Sequence, residues 1–195
     1  MVYSTHMIFA DEIYKSIDYE LKLKLKKGSF KYGNVRPDIS RLAINIPHTI
    51  NESFLYVINE INQLISDVTN TRQMGSREFA KRLGVINHYL ADYFCLAHNK
   101  NIMDEGLVRH IIYEIKINKM CKEDRKTGNN RNLENNDFLK SGCTNIEEYI
   151  LYKHSHYLEE ERNIKVDISY AMQTCITVST EIIKMCEQKC KRKAA

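Results

Sequence analysis

Four side chains with helical spacing could bind a metal ion. His88 and Asp92 are four residues apart, and His110 and Glu114 repeat that spacing. Residues four apart lie on one face of a helix, so each pair offers an imidazole and a carboxylate to one ion. Each pair alone has an ordinary alternative, a core histidine or a surface ion pair. With His98, which follows Asp92 by six residues, two facing helices would supply five ligands.

The ligand types indicate which metal such a site would hold. Imidazole nitrogen and carboxylate oxygen without thiolate suit catalytic zinc, which keeps one coordination position open for water. The six cysteines form no C-x-x-C pair, and the chain is too long to need a disulfide scaffold. We expect them to be reduced, with Cys95, Cys175 and Cys186 packed in the core as small apolar side chains.

Apolar residues recur with helical periodicity along most of the chain. They predict helices over residues 6–28, 52–68, 76–94, from about 103 to beyond 117, 146–161 and 168–190. The sequence has only two prolines and seven glycines, which also favours long helices. The predicted fold is all-α, a multi-helix bundle, and the length of 195 residues suits a single domain, 1–195.

Two segments are predicted to be irregular. Residues 28–51 contain both prolines and two glycines, so they predict a long connection of the kind that often carries function. Residues 122–145 are rich in Lys, Asn, Asp, Glu and Gly and predict a surface excursion. His154 and His156 lie two apart on a charged helix, where we expect them to face solvent.

The charge pattern gives little support to nucleic-acid binding. The formal net charge is +4, and basic residues cluster only at 189–193, which we interpret as a solvated, frayed helix end. Residues 1–10 lack the features of a secretory signal, and no stretch is apolar enough to cross a bilayer. The expected location is cytoplasmic, or secreted if a signal preceding residue 1 has been removed.

The order of the polar residues resembles the zinc-dependent phospholipase C and P1-type nuclease superfamily. Its signature is H-Y-x-x-D, a histidine six residues after that aspartate, and a later H-x-x-x-E or H-x-x-x-D. The chain has His88-Tyr89-Leu90-Ala91-Asp92, then His98, then His110-Ile111-Ile112-Tyr113-Glu114. The resemblance implies an all-helical bundle of that type with a zinc cluster in its core.

The resemblance also implies roles for residues nearer the N-terminus. The superfamily has an early histidine, a loop aspartate that acts on water, and a histidine before the H-Y-x-x-D helix; His6, Asp38 and His48 occupy these positions. For Asp38, a turn aspartate after Pro37 is the alternative. One zinc would be held by His48, His88 and Asp92, and a second by His98, His110 and Glu114.

A third zinc would be bridged by Asp92 and held by His6. In the superfamily this site also uses an N-terminal Trp, and the chain contains no Trp. Either the amine of Met1 or Val2 takes its place, or the third ion is weak or absent. The resemblance therefore implies two to three zinc ions.

The implied activity is phosphodiester hydrolysis by a zinc-activated water that Asp38 orients or deprotonates. We expect a phospholipase C-like enzyme with a phospholipid or other phosphodiester substrate and a transient contact with a membrane surface. A stable nucleic-acid partner is not expected, and the oligomeric state stays open. The alternatives are a P1-like single-strand nuclease/3'-nucleotidase, which needs stacking aromatics and a basic groove, and a catalytically silent helical metal-binding protein.

Overall fold

The computed structural model describes residues 1–21, 23–40, 46–99, 106–127 and 137–194. These residues form nine α-helices and one 3-10 turn and contain no strand, which confirms the all-α prediction. The elements in chain order are α1 (Tyr3–Leu21), α2 (Lys27–Ile39), α3 (Ile50–Asp67), α4 (Thr71–Met74), α5 (Arg77–Tyr93), the 3-10 turn (Leu96–His98), α6 (Leu107–Thr127), α7 (Asp137–Ser141), α8 (Ile146–Glu159) and α9 (Ile164–Ala194).

Helix α5 lies at the centre of the bundle. Every residue from Leu83 to Tyr93 is buried, because α2, α3 and α9 pack around the helix. The helix begins as predicted at Ser76, whose side-chain oxygen accepts a hydrogen bond from the backbone N–H of Phe79. His88 and Asp92 therefore lie on the most enclosed helix of the fold.

Helices α2 and α5 make a close backbone contact through two glycines. A Cβ atom on Gly33 would lie 2.1 Å from the carbonyl oxygen of Lys81, and one on Gly84 would lie 2.3 Å from that of Phe30. The predicted irregular connection at residues 28–51 is therefore wrong for residues 28–39, because Gly33 serves helix packing. Pro37 is tolerated in the last turn, two residues before α2 ends. Residues 41–45 lie outside the described residues.

Other helix boundaries also differ from the predictions. Helix α1 ends at Leu21, and Gly28 lies in the first turn of α2. Helix α6 continues to Thr127, and α7 follows, so part of the predicted excursion at 122–145 is helical. The predicted helix start near Met103 and residues 128–136 lie outside the described part of the chain.

The prediction that Cys95, Cys175 and Cys186 lie in the core is confirmed. Val57, Ile61 and Leu64 of α3 are buried, as are the thiols of Cys95, Cys175 and Cys186. All six cysteines are free. None of the described helices has the combination of length and apolar content required to cross a membrane.

The basic end of α9 contacts the end of α3 through Lys189. The Lys189 ammonium donates a hydrogen bond to the backbone carbonyl of Ile65, at 3.0 Å, near the C-terminus of α3. A cation at this helix end satisfies a carbonyl that lacks an intrahelical partner. The prediction of a frayed, solvated tail is therefore wrong for Lys189, whereas Lys191 and Arg192 are exposed.

The glycine contact predicts a sharp difference between two substitutions in α2. Gly33→Ala should lower the free energy of unfolding by about 2–3 kcal/mol, because its Cβ would overlap a backbone carbonyl. Gly28→Ala is the matched control, since a Cβ there meets nothing within 4 Å. It should leave stability unchanged or raise it by up to about 1 kcal/mol. Urea unfolding measures both, and equal effects would contradict the close contact.

Candidate metal centre

The side chains predicted for the site come together in the structure. Their ligand atoms form four overlapping groups, and within each group all atoms lie within 4.8 Å of one another. The groups are His6, His88 and Asp92; Asp38, His48 and His88; His48, Asp92 and His98; and His98, His110 and Glu114. Helices α1, α2, α5 and α6, the 3-10 turn and the segment before α3 each contribute to this cluster.

Asp92 is the centre of the cluster. Its carboxylate is fully buried and faces four imidazoles. Oδ2 lies 2.9 Å from His48 Nδ1 and 3.3 Å from His88 Nε2. Oδ1 lies 3.4 Å from His6 Nε2 and 3.5 Å from His98 Nε2. The two oxygens of one carboxylate therefore face different pairs of histidines, as a bridging ligand would.

Glu114 organises the outer part of the cluster. Its Oε1 lies 3.1 Å from His98 Nε2 and 3.0 Å from His110 Nε2. Burial opposes the charge of Glu114, but hydrogen bonds to both imidazoles hold the pKa of the carboxyl below its ordinary value. His98 also faces Asp92, so it connects the outer group to the central carboxylate.

Asp38 lies in the last turn of α2, not in a loop or turn as the sequence suggested. Its Oδ1 is 3.6 Å from His88 Nε2 and 3.9 Å from His48 Nδ1. Burial, together with the negative charge of Asp92, raises the pKa of Asp38, although the nearby imidazoles oppose this shift. The Asp38 carboxylate is thus directed into the cluster while about a quarter of the side chain, 23%, stays accessible.

The hydrogen bonding of His88 indicates that the cluster suits a cation. Its Nδ1 lies 2.8 Å from the backbone carbonyl oxygen of Asn34, which can only accept, so Nδ1 carries the proton. Burial lowers the pKa of His88 well below its ordinary value, so the ring is neutral. The lone pair of Nε2 then faces carboxylate oxygens of Asp38 and Asp92, together with Nδ1 of His48 at 3.4 Å. Acceptors facing acceptors in a buried site are favourable only when a cation lies between them.

Buried polar atoms without partners support the same conclusion. Both ring nitrogens of His6 and Oδ2 of Asp38 are buried and make no hydrogen bond. An unsatisfied buried polar group costs about 1–3 kcal/mol, so native proteins usually avoid it. Imidazole nitrogen and carboxylate oxygen are also the donor types that zinc prefers in catalytic sites. The residues present therefore fit zinc.

The α-amino group of Met1 lies inside the cluster. It contacts Asp92 Oδ1 and lies 2.9 Å from His98 Nε2 and 3.2 Å from Glu114 Oε1. Burial disfavours the ammonium form, but the carboxylates of Asp92 and Glu114 outweigh it and raise the pKa of the Met1 amine to about 11. A cationic group of the chain is thus held among the acidic ligands.

Sequence reasoning missed Asp167, which supports the segments that carry the outer ligand group, His98, His110 and Glu114. This buried carboxylate accepts hydrogen bonds from the Leu96 backbone N–H and the Tyr113 hydroxyl through Oδ2, both at 2.9 Å. Leu96 opens the 3-10 turn that ends at His98, and Tyr113 precedes Glu114 on α6. One carboxylate on α9 therefore links the two segments that carry this group. No local spacing in the sequence marks Asp167 for this role.

The structure also corrects the prediction for His154. The sequence predicts that it faces solvent, but it is buried, with Nε2 3.2 Å from Asn99 Oδ1. The amide of Asn99 in turn donates to the backbone carbonyls of Cys95 and Tyr93. His154 thus supports the turn behind His98 from α8, and it is not part of the metal cluster. His156 is exposed, as predicted.

Fold and cluster together define an all-helical protein with groups of His, Asp and Glu side chains that could bind metal. Residues 5–164 match the family model described as zinc dependent phospholipase C. The match covers most of the chain, and the chain belongs to this family. The searches of curated proteins and of solved structures found no match. The family is zinc-dependent and all-helical, in agreement with the cluster and the fold described above.

The Asp167 brace predicts that Tyr113 matters for zinc binding although it is not a ligand. Tyr113→Phe removes one hydrogen bond between Asp167 and the ligand helix, so we expect zinc affinity to fall about tenfold or more. Tyr157→Phe is the matched control, because its hydroxyl bonds the other oxygen of Asp167, at 2.9 Å, from α8. Zinc competition with a chelator should show the smaller loss for Tyr157→Phe; the reverse order would contradict the brace.

Proposed function

We propose that this protein is a zinc-dependent phosphodiester hydrolase that cleaves phospholipids on the glycerol side of the phosphodiester, as a phospholipase C does. The observation that carries this proposal is that the buried Nε2 of His88 lies 3.6 Å from Asp38 Oδ1 and 3.3 Å from Asp92 Oδ2. Such an arrangement suits a cation site next to a carboxylate that can take up a proton. Membership of the zinc-dependent phospholipase C family supports the same activity.

The contacts support an assignment of ligands to individual ions. His48 Nδ1, His88 Nε2 and Asp92 Oδ2 lie 2.9–3.4 Å from one another, which suits one zinc. A second zinc is assigned to the outer group, whose members are His98, His110 and Glu114. A third is assigned to His6 and Asp92, close to the Met1 amine. Zinc in these positions would lower the pKa of water, neutralise phosphoryl oxygens and stabilise the leaving alkoxide.

Asp38 is the residue of the chain that we assign to the proton transfer. Among the cluster carboxylates, Asp92 is fully buried and surrounded by imidazoles, whereas the Asp38 side chain is 23% exposed. Its Oδ2 is buried, makes no hydrogen bond and lies 4.0 Å from His6 Nε2, so it faces the cluster, where a metal-bound water would lie. Asp38 would therefore orient the attacking water and hold its proton after attack.

The candidate ligands differ in how far solvent reaches them. His6, His88 and Asp92 are fully buried, whereas the side chains of His110 and Asp38 are 33% and 23% exposed. A phosphodiester would approach past these two residues, and the buried ligands would stay out of bulk water. Exclusion of water from the inner ligands strengthens their electrostatic interaction with bound charge.

The described surface offers weaker support for a nuclease. Single-strand binding needs aromatic side chains on which bases stack, together with a basic groove. Of the aromatics that flank the ligands in sequence, Phe9 and Phe94 are buried in the core, whereas Tyr3 and Tyr32 are half-exposed. The chain has no Trp. We therefore take a phospholipid as the substrate and keep single-stranded DNA as the comparison substrate.

Asp38→Asn tests the proposed proton acceptor. Hydrolysis of a soluble short-chain phosphatidylcholine should fall by a factor of about 10²–10⁴, because the amide cannot take up the proton of water. Zinc content should stay at the wild-type level, as measured by elemental analysis. Asp18→Asn, at an exposed position of α1, is the matched control and should retain wild-type activity. Full activity of Asp38→Asn would remove Asp38 from the mechanism.

Metal counting and paired substrates test the proposal as a whole. We expect two to three equivalents of zinc per chain, with hydrolysis of the phosphatidylcholine and none of single-stranded DNA. Removal of zinc by a chelator should abolish the activity, and addition of zinc should restore it. Hydrolysis of DNA alone would favour the nuclease, and zinc binding without hydrolysis of either substrate would leave a silent metal-binding protein.

A further inference from the structure

Helix α6 has apolar residues on two opposite faces. The inner face buries Glu114, Ile117 and Cys121 against the bundle. The outer face of its first turns presents five aliphatic side chains to solvent: Leu107, Val108, Ile111, Ile112 and Ile115, with 75%, 70%, 44%, 46% and 54% exposed. At 3.6 residues per turn, these five positions fall within a sector of about 140°. Contiguous exposed aliphatic residues of this kind mark interaction surfaces in soluble proteins.

The aliphatic sector adjoins the metal centre. Ile111 follows His110, and Ile115 follows Glu114, so ligands and exposed aliphatic residues alternate along the same turns of α6. His110 is also the most exposed of the candidate ligands, at 33%. A partner that covers the outer face of α6 would therefore lie next to His110, past which the substrate is proposed to approach.

The same sector is basic further along the helix. Lys119, Lys122 and Lys126 are exposed and, by the same helical geometry, continue the line of the aliphatic residues. Among the described residues, the carboxylate nearest to Lys119 in an ion pair is that of Glu123, at 4.0 Å and outside the sector. Within α6 the sector itself contains no carboxylate. Aliphatic residues beside lysines are the composition of helices that lie in the headgroup region of anionic membranes.

We propose that this outer face of α6, the docking face, binds the surface of a membrane that contains anionic phospholipid. The aliphatic residues would enter the boundary between headgroups and acyl chains, and the lysines would contact lipid phosphates. This inference rests on the proposed function, because it places the metal centre next to the layer that contains the substrate. It goes beyond that function by naming the surface and the lipid charge.

Charge favours a membrane over a second copy of the chain. A parallel interface between two docking faces would bring two rows of lysines together, and an antiparallel one would place each row on the aliphatic residues of the other copy. Neither arrangement pairs the lysines with a carboxylate of the sector. Like charges placed together oppose association, whereas an anionic lipid surface attracts each lysine. Membrane binding should therefore depend on both the aliphatic residues and the lysines, and it should weaken as salt concentration rises.

Vesicle sedimentation of the zinc-loaded full chain tests the proposal. Wild-type protein should bind vesicles of phosphatidylcholine mixed with phosphatidylglycerol and bind pure phosphatidylcholine vesicles more weakly. Val108→Glu combined with Ile112→Glu should reduce binding to the anionic vesicles at least about tenfold, because two buried aliphatic contacts are lost. The control pair Leu55→Glu and Leu158→Glu adds the same charge at exposed positions on α3 and α8 and should change binding less than about twofold.

A second pair of variants tests the proposal if the glutamate substitutions disturb folding. Lys119→Gln combined with Lys122→Gln leaves the aliphatic residues in place and should weaken binding to anionic vesicles only. Zinc content and thermal unfolding check that each variant is folded. Absence of wild-type binding, or equal binding by all folded variants, would overturn the proposal. So would a wild-type dimer in size-exclusion chromatography that becomes monomeric with Val108→Glu and Ile112→Glu.

The vesicle experiment tests the docking face separately from the proposed hydrolytic activity. Binding to vesicles requires no turnover, whereas hydrolysis of a soluble short-chain phosphatidylcholine requires no membrane. Protein that hydrolyses the soluble substrate but does not bind anionic vesicles would overturn the docking face alone. Protein that binds the vesicles through α6 but hydrolyses no phospholipid would overturn the proposed function alone.

Discussion

The buried carboxylate of Asp92 is the constraint on which the rest of the structure depends. A charged carboxylate inside a helical bundle is stable only when positive or hydrogen-donating groups surround it. Four histidines and the Met1 amine provide that environment, and they come from different parts of the chain. The convergence brings α1, the segment before α3 and the 3-10 turn up to α5, since each of them places a histidine beside the same carboxylate.

The convergence of these side chains could be predicted from sequence because most of their spacing is encoded locally. Histidine and carboxylate four residues apart on one helix must share a face, and two such pairs with His98 between them are a specific pattern. The order of these motifs also identified the family, which the match over residues 5–164 confirms. Long amphipathic helices such as α3 were predictable for the same reason, because their apolar period repeats over many residues.

The features that sequence did not reveal depend on contacts between distant residues. Gly33 and Pro37 indicate a loop when only their own preferences are considered, and only the approach of α5 shows that a helix needs the glycine. Asp167 accepts hydrogen bonds from donors 71 and 54 residues away, so no spacing could point to it. The aliphatic period of α6 predicted a helix correctly, but period alone does not distinguish an inner face from an outer one.

The contact between Gly33 and Gly84 has a consequence for the precision of the centre. It joins the helix that carries Asp38 to the helix that carries His88 and Asp92 through main-chain atoms, with no side chain between them. Side chains can change rotamer and so allow neighbouring helices to shift, whereas peptide groups in contact cannot. The spacing between Asp38 on one helix and His88 and Asp92 on the other is thus set by the backbone. It should tolerate mutation elsewhere in the core better than insertion of one methyl group at this crossing.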